Sequence, residues 1–267
     1  MPRDGGNLIL TEQEKTDILK KEPEFKKWIR PYVGAEEFIN KKKRYCLWLV
    51  GIEPNEINNS NFLKNRIKAC KEFRENSKAP STRKFAEIPY LFCQIAQPNT
   101  DYLLVPRVSS EKRKYVPMGL MNKEIIASDA TQIIPNVTLY EFGVLTSNVH
   151  MAWMRTVAGR LKSDYRYSKD IVYNNFPWPE PTKEQKDKIE ETAKQILEVR
   201  KKYENSTLAD LYNELTMPSD LRKAHEENDK AVLKAYGFKG REIEDSELVE
   251  KLMVLYKKII NEEQVEK

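Results

Sequence analysis

Between Gly159 and Asp170 the sequence runs Gly-Arg-Leu-Lys-Ser-Asp-Tyr-Arg-Tyr-Ser-Lys-Asp. Charges of both signs, two hydroxyls and two aromatic rings fall within this one stretch. A clamp built for phosphate alone has no use for Asp164 or Asp170. Groups that read base edges do: Lys or Arg donates to guanine O6 and N7, and Asp accepts from the N4 amino group of the paired cytosine. A surface loop closed on its own ion pairs is the competing account, and side-chain chemistry weighs the two equally. A second run, Arg107-Val108-Ser109-Ser110-Glu111-Lys112-Arg113-Lys114, places hydroxyls and four basic groups in a turn after an expected strand. That mix suits phosphate oxygens, and it equally suits a hairpin tip kept basic for solubility.

Other chemistry is poorly supported. Gly5-Gly6 is the one glycine pair, and Gly51, Gly143, Gly159 and Gly237 stand alone, so there is no phosphate loop and no dinucleotide fingerprint. An Asn- or Asp-Pro-Pro-aromatic turn, which holds the target amino group in adenine and cytosine amino-methyltransferases, is also missing. Of two histidines, His150 falls on the apolar side of an expected helix beside Trp153, and His225 sits in a charged helical stretch where solvent exposure is the simplest reading. Cys46, Cys70 and Cys93 lack metal-ligand or disulfide spacing. The acidic pairs Glu36-Glu37, Glu190-Glu191 and Glu226-Glu227 read as solvent-facing. No site in this chain is expected to catalyse a reaction or hold a metal.

The elements that must carry these groups can be placed by pattern. Thr11 and Glu14 form a capping box for a short helix ended by Pro23. Tyr45 to Val50 reads as a buried strand stopped by Gly51, and Lys64 to Arg74 as a basic amphipathic helix with Leu63, Ile67, Cys70 and Phe73 or Arg74 inward. Five runs, Pro89 to Ile95, Tyr102 to Val105, Lys114 to Pro117, Glu124 to Ala127 and Gln132 to Ile134, are strand candidates separated by turn residues. Thr146 or Ser147 caps a helix bearing His150, Trp153, Met154 and Val157, which Gly159 ends. After the Phe176-Pro177-Trp178-Pro179-Glu180-Pro181 stop, Thr182 and Gln185 box the first of three helices. The second closes at Gly237, and the third has Leu248, Leu252, Leu255 and Ile259 inward. The expected class is α+β: a mostly antiparallel sheet with flanking helices over residues 1–180, then a small helical domain over 181–267.

Charge follows the same division. Of 267 residues, 46 are Lys or Arg and 41 are Asp or Glu. Residues 1–180 hold 29 basic and 21 acidic side chains, residues 181–267 hold 17 and 20, and residues 41–84 alone hold 12 and 4. Such a local excess is the footprint of a polyanion-binding face, although a solvated helix face leaves it too. With 40% hydrophobic residues the chain can bury a core, and no apolar run approaches the length of a membrane span. A soluble cytoplasmic protein without membrane partners is the default.

The Gly159 to Ser168 run, followed by Ile171-Val172-Tyr173-Asn174-Asn175-Phe176-Pro177-Trp178-Pro179, closely resembles the end of the target recognition domain in MmeI-like adenine DNA methyltransferases of restriction-modification systems. Ile29 to Phe38, Arg44 to Leu49 and Asp101 to Ser110 extend the likeness. Leu208 to Tyr212 and Leu221 to His225 are similar to the family's C-terminal helical part. The resemblance implies a duplex-DNA recognition module with no cofactor of its own. It would serve a methyltransferase domain of the same polypeptide, or of a partner subunit, that uses S-adenosylmethionine. The family's methyl-donor and catalytic motifs lie upstream of its recognition domain, so this chain is expected not to methylate DNA unaided.

In the family the two residues flanking the Ser after Gly-Arg-Leu set the base beside the methylated adenine. Here they are Lys162 and Asp164, and Arg166 matches a further specificity position, paired with a residue near Ala130. Expected phosphate contacts are Arg107, Ser109, Ser110, Lys112, Arg160, Tyr165 and Ser168, with the basic 41–84 stretch adding affinity. Two rival readings remain: a protein-interaction subunit binding nucleic acid without base reading, and an independent enzyme with an unrecognised site.

Overall fold

Short apolar runs interrupted by turn residues become short strands, and the capped amphipathic segments become helices, in a computed structural model that describes residues 1–238 and 243–265. The strands are β1 (Ile9–Leu10), β2 (Ile29–Val33), β3 (Tyr45–Leu47), β4 (Tyr102–Pro106), β5 (Val108–Ser109), β6 (Gly119–Met121), β7 (Ile126–Ala127), β8 (Thr131–Pro135), β9 (Gly159–Leu161) and β10 (Asp164–Arg166). The helices are α1 (Glu12–Lys21), α2 (Ala35–Asn40), α3 (Pro54–Asn59), α4 (Asn61–Glu75), α5 (Pro80–Arg83), α6 (Leu139–Leu145), α7 (Asn148–Val157), α8 (Lys183–Lys202), α9 (Leu208–Leu211), α10 (Ser219–Ala235) and α11 (Asp245–Val265). They form two compact units, Met1–Thr100 with Asn122–Asp129, and Asp101–Met121 with Ala130–Lys267. The expected α+β class with largely antiparallel sheets and flanking helices is what the chain adopts.

The first unit is built on a sheet ordered β1-β3-β2-β7, antiparallel except for the parallel β2–β7 pair. Thr11 caps α1 and Glu14 returns to the Thr11 N–H at 2.8 Å, as its capping box requires. Ser60 caps α4, whose inward face carries Leu63, Cys70 and Arg74. Arg74 is 0% exposed, and its guanidinium donates five hydrogen bonds: to the carbonyls of Arg3 (3.0 Å), Phe85 (2.9 Å), Ile88 (3.0 Å), Pro2 (2.9 Å) and Leu91 (2.7 Å). One buried cation thus fastens the N-terminus and the 85–91 segment to α4. It also accounts for Pro89 to Ile95 lying as a loop and not the expected strand, since the Leu91 carbonyl bonds to Arg74.

The second unit has a sheet ordered β6-β4-β8 and another ordered β5-β10-β9. β4 is the middle strand of its sheet and is buried along its whole length. Lys114 to Pro117 is not a strand: the Tyr115 hydroxyl donates to Asp229 at 2.7 Å and the Val116 N–H to the Met151 sulfur at 3.3 Å. Helix α6 had no counterpart among the expectations; Thr138 and Glu141 box its start. It meets α8 at Gly143, where a Cβ would stand 2.6 Å from Ile189 Cγ2, so only glycine permits that approach.

Ser147 caps α7, and His150, Trp153 and Met154 are buried in a core that runs from Leu103 to Leu252. The Pro-rich stop is part of this core. Phe176 packs on His150 and Trp178, and the Tyr236 hydroxyl donates to the Pro177 carbonyl at 2.7 Å. Leu248 and Leu252 of α11 point inward as expected, whereas Ile259 is 40% exposed. Among the described residues no helix is long and apolar enough to cross a membrane.

Both histidines are interior. His150 Nε2 lies 2.9 Å from the Tyr167 hydroxyl, and burial pulls its pKa from 6.5 to about 3. His225, expected in solvent, is instead fully buried; it stacks on Tyr115, lies 2.9 Å from the Tyr212 hydroxyl, and is pulled well below its ordinary value by burial. Burial pushes the Asp229 carboxyl the other way, from 3.8 up to about 6.

Two predictions follow the packing. Arg74→Lys leaves three donors for five carbonyls and should lower unfolding free energy by roughly 3 kcal/mol, read from the urea midpoint; an unshifted midpoint would show the guanidinium to be dispensable. The histidines stay neutral in the fold but protonate in the unfolded chain below about pH 6.5, so their stabilisation is complete above that pH and declines with acid. Asp229 opposes them, favouring the fold most below pH 3.8 and progressively less toward pH 6. The thermal midpoint should therefore fall from pH 7 to pH 5, and fall more steeply in Asp229→Asn; a midpoint that rises on acidification contradicts this assignment.

Candidate nucleic-acid interface

The Gly159 to Arg166 stretch forms a β-hairpin. Leu161 pairs with Asp164, Arg160 with Tyr165 and Gly159 with Arg166, which leaves Lys162 and Ser163 as a two-residue turn. Lys162 takes φ +57°, a left-handed conformation that costs a side-chain-bearing residue on the order of 1 kcal/mol. On its other edge β10 pairs with β5, Tyr165 opposite Ser109 and Arg166 opposite Val108. Successive residues of a strand point to opposite faces, so this register sorts the motif into two sets.

One face is turned into the protein. Ser109 and Tyr165 are 3% and 9% exposed, and Arg160 lies over the Tyr165 ring with its guanidinium carbon 3.8 Å from the centroid. The opposite face carries Leu161, Asp164, Arg166 and Val108, with bare space at Gly159 where no atom lies within 4 Å of a would-be Cβ. Lys162 and Arg166 are exposed and Asp164 half-buried. Among the described residues, neither Lys162 nor Arg166 has an acidic partner within 4.0 Å. Arg113 is half-buried, and burial pulls its pKa below the ordinary value while the Asp164 charge opposes that shift.

Ala130 reaches this sheet through the backbone. The Arg107 N–H donates to the Ala130 carbonyl at 3.0 Å, and the adjacent Val108 is the ladder partner of Arg166. Ala130 and Arg166 therefore flank residues 107–108, a placement compatible with the pairing that the resemblance implies.

The expected phosphate contacts divide sharply. Lys112 is exposed, and Ser110 shapes the turn by accepting the Lys112 N–H at 3.3 Å. Ser109 and Tyr165 belong to the packed face. Arg107 is half-buried and donates through Nε to the Thr131 carbonyl at 3.2 Å. Ser168 heads a π-helical turn, Lys169–Tyr173, and accepts the Val172 N–H at 2.8 Å. Arg160 is engaged by its own chain, donating to the Ser163 carbonyl at 2.6 Å and meeting Glu111 at 3.4 Å. Glu111 and Arg113 were missing from the expected site. A lone acid inside a basic run was the available signal for Glu111.

The basic 41–84 stretch is less free than its composition suggests. Arg74 is interior, Arg44 pairs with Glu37 at 3.0 Å, Lys43 with Glu12 at 3.0 Å, and Lys42 and Arg66 with Glu36 and Glu14. Four of its twelve basic side chains are thus paired with acids from residues 12–37.

Comparison with known proteins gives this hairpin its context. Residues 1–180 match the target recognition domain of MmeI, and residues 181–262 its C-terminal domain. The chain belongs to the MmeI family. It is 41% identical over 259 residues to DNA methyltransferase A of Bacillus subtilis (strain 168), covering 97% of this chain and 29% of that protein. It is also similar to the type IIL restriction-modification enzyme MmeI, solved in complex with DNA, with 45% identity and a TM-score of 0.93 over 97% of this chain and 35% of that one. The chain thus spans about a third of the length of these MmeI-family relatives.

Lys162→Gly relieves the left-handed strain and should raise the hairpin's stability by up to about 1 kcal/mol while deleting the tip charge. Amide hydrogen exchange of Arg160 and Tyr165 reads this; faster exchange in the variant would show that the lysine side chain itself holds the turn.

Proposed function

We propose that this chain recognises a specific duplex DNA sequence for an adenine-specific methyltransferase of a restriction-modification system, with residues 1–180 as the recognition part and 181–267 as its helical companion. The observation that carries this reading is the two-faced β5-β10-β9 sheet: one face is packed, the other presents half-buried Asp164 and exposed Arg166, and the turn beside it exposes Lys162. A two-stranded ribbon fits the major groove. Lys162 donating to guanine and Asp164 accepting from the paired cytosine would specify a G·C pair beside the target adenine, and Arg166, beside the small Ala130, would contact a further purine. Lys112 and neighbouring unpaired cations supply salt-dependent affinity. The likeness to a relative solved with DNA supports the duplex as partner.

S-adenosylmethionine belongs to the methyltransferase domain, in the same cytoplasmic polypeptide or a partner subunit. This chain's residues do not fit it. Gly34 lies between β2 and α2, and the space beside it holds Ser128 Oγ and Glu37 Oε2, 2.6 and 2.8 Å from a would-be Cβ. An acid already caps that helix, closing the turn to a carboxylate or an adenosyl group.

The test exchanges the readers in the assembled enzyme. The double substitution Lys162→Glu with Asp164→Arg should invert the preferred base pair at one position, read by sequencing methylated sites, with each lost contact costing about 1–3 kcal/mol in discrimination. An unchanged site overturns the assignment. Equal affinity of the wild type for unrelated duplexes would instead favour a non-specific binding or docking subunit.

A further inference from the structure

Arg160 stands at the base of the reading turn and faces away from the readers. It shares the inward face with Tyr165 and Ser109, whereas Asp164 and Arg166 occupy the outward one. Its guanidinium makes three contacts. Its central carbon stands 3.8 Å from the Tyr165 ring centroid, and the group donates to the Ser163 carbonyl at 2.6 Å and meets the Glu111 carboxylate at 3.4 Å. The Ser163 carbonyl belongs to the two-residue turn that holds Lys162 at φ +57°. Glu111 comes from the turn after β5, where Ser110 bonds the N–H groups of Lys112 and Arg113 at 3.3 and 3.1 Å. Tyr165 is anchored by its own burial.

A strained two-residue turn at the end of a short ribbon has no packing of its own to fix it. Here the fixing comes from a half-exposed planar cation that bridges a buried ring, a turn carbonyl and a carboxylate on a separate loop. We propose that Arg160 is a positioning residue for base reading and that Glu111 is its anchor: together they hold the turn so that Lys162 and Asp164 meet their base pair in one geometry. This rests on the reading of Lys162 and Asp164 as base readers and goes beyond it, since it assigns specificity to two residues that touch no base. It also replaces the phosphate role that composition suggested for Arg160. A planar guanidinium can stack and donate at once, which an ammonium cannot.

The test uses the assembled enzyme with Arg160→Lys and Glu111→Gln. Competition binding is measured between the preferred duplex and duplexes altered at the pair read by Lys162 and Asp164, across a range of salt concentrations. Arg160→Lys keeps the charge, so the salt slope should hold while discrimination at that one pair falls about tenfold and other positions keep theirs. Glu111→Gln should reduce discrimination at the same pair. A merely structural loss would weaken all positions together and lower the melting temperature.

The proposal is overturned if Glu111→Gln tightens binding to every duplex alike and steepens the salt slope by about one phosphate contact, the behaviour of a freed phosphate ligand. It is equally overturned if both variants discriminate as the wild type does. A wild type with no sequence preference would instead defeat the base-reading function, so the two failures are distinguishable.

Discussion

The register of β10 against β5 and β9 governs everything this chain presents to a partner. Opposing Tyr165 to Ser109 and Arg160 sends those side chains to one face and commits Asp164 and Arg166 to the other. A slip of one residue would bury both charges and expose the tyrosine. Burial of Tyr165 and Ser109 makes that slip costly, because two charges would replace an aromatic ring in the interior. The register is reinforced at the end of the ladder, where the Tyr167 N–H donates to the Arg107 carbonyl at 2.8 Å and the Tyr167 hydroxyl meets neutral His150 in the core. The outward face is thus a consequence of inward packing.

Cations in this chain do three different jobs, which composition alone does not separate. Arg74 is a structural knot with all five donors satisfied by carbonyls. Arg44, Arg66 and Lys43 balance acids of the α1 to α2 region. Lys162 and Arg166 remain exposed on the hairpin without an acidic partner among the described residues. Of the twelve cations in the 41–84 stretch, five are thus interior or paired with acids of residues 12–37, while in the 159–170 stretch Arg160 and Lys169 meet acids and Lys162 and Arg166 do not.

Patterns that depend on near neighbours were legible in the sequence. The capping boxes at Thr11, Thr182 and the Ser147 cap formed as spaced, and the amphipathic α4, α7 and α8 buried Leu63, Cys70, Trp153, Met154, Ile189 and Ile196, while Ile67, Val157 and Leu197 are half-buried. Features that depend on distant partners were not legible. Nothing near His225 announces that Tyr115 and Tyr212 will enclose it. Nothing near Pro89 announces that the Phe85, Ile88 and Leu91 carbonyls around it will be claimed by Arg74. At the interface the same line divides the residues. The side-chain types of the 159–166 run suited base reading and an ion-paired loop equally, and only the family resemblance picked out Lys162, Asp164 and Arg166; the alternation that buries Ser109 and Tyr165 needs the cross-strand register. Glu111 needs the loop that folds toward Arg160.

That division has a consequence for how recognition and folding are coupled. Ser109, Tyr165 and Gly143 sit where volume and polarity are fixed by neighbours, so a change there is felt by the whole second unit. Lys162 and Arg166 are exposed, their neighbour Gly159 leaves open space, and the ladder that carries them is held from the other side. Their side chains can be exchanged for others of different charge with little effect on packing. A surface freed from folding duties in this way, if it reads bases as proposed, can alter what it reads while the scaffold stays constant. In the proposed role, contacts such as Arg160 over Tyr165 would fix where a new reader points without dictating what it is.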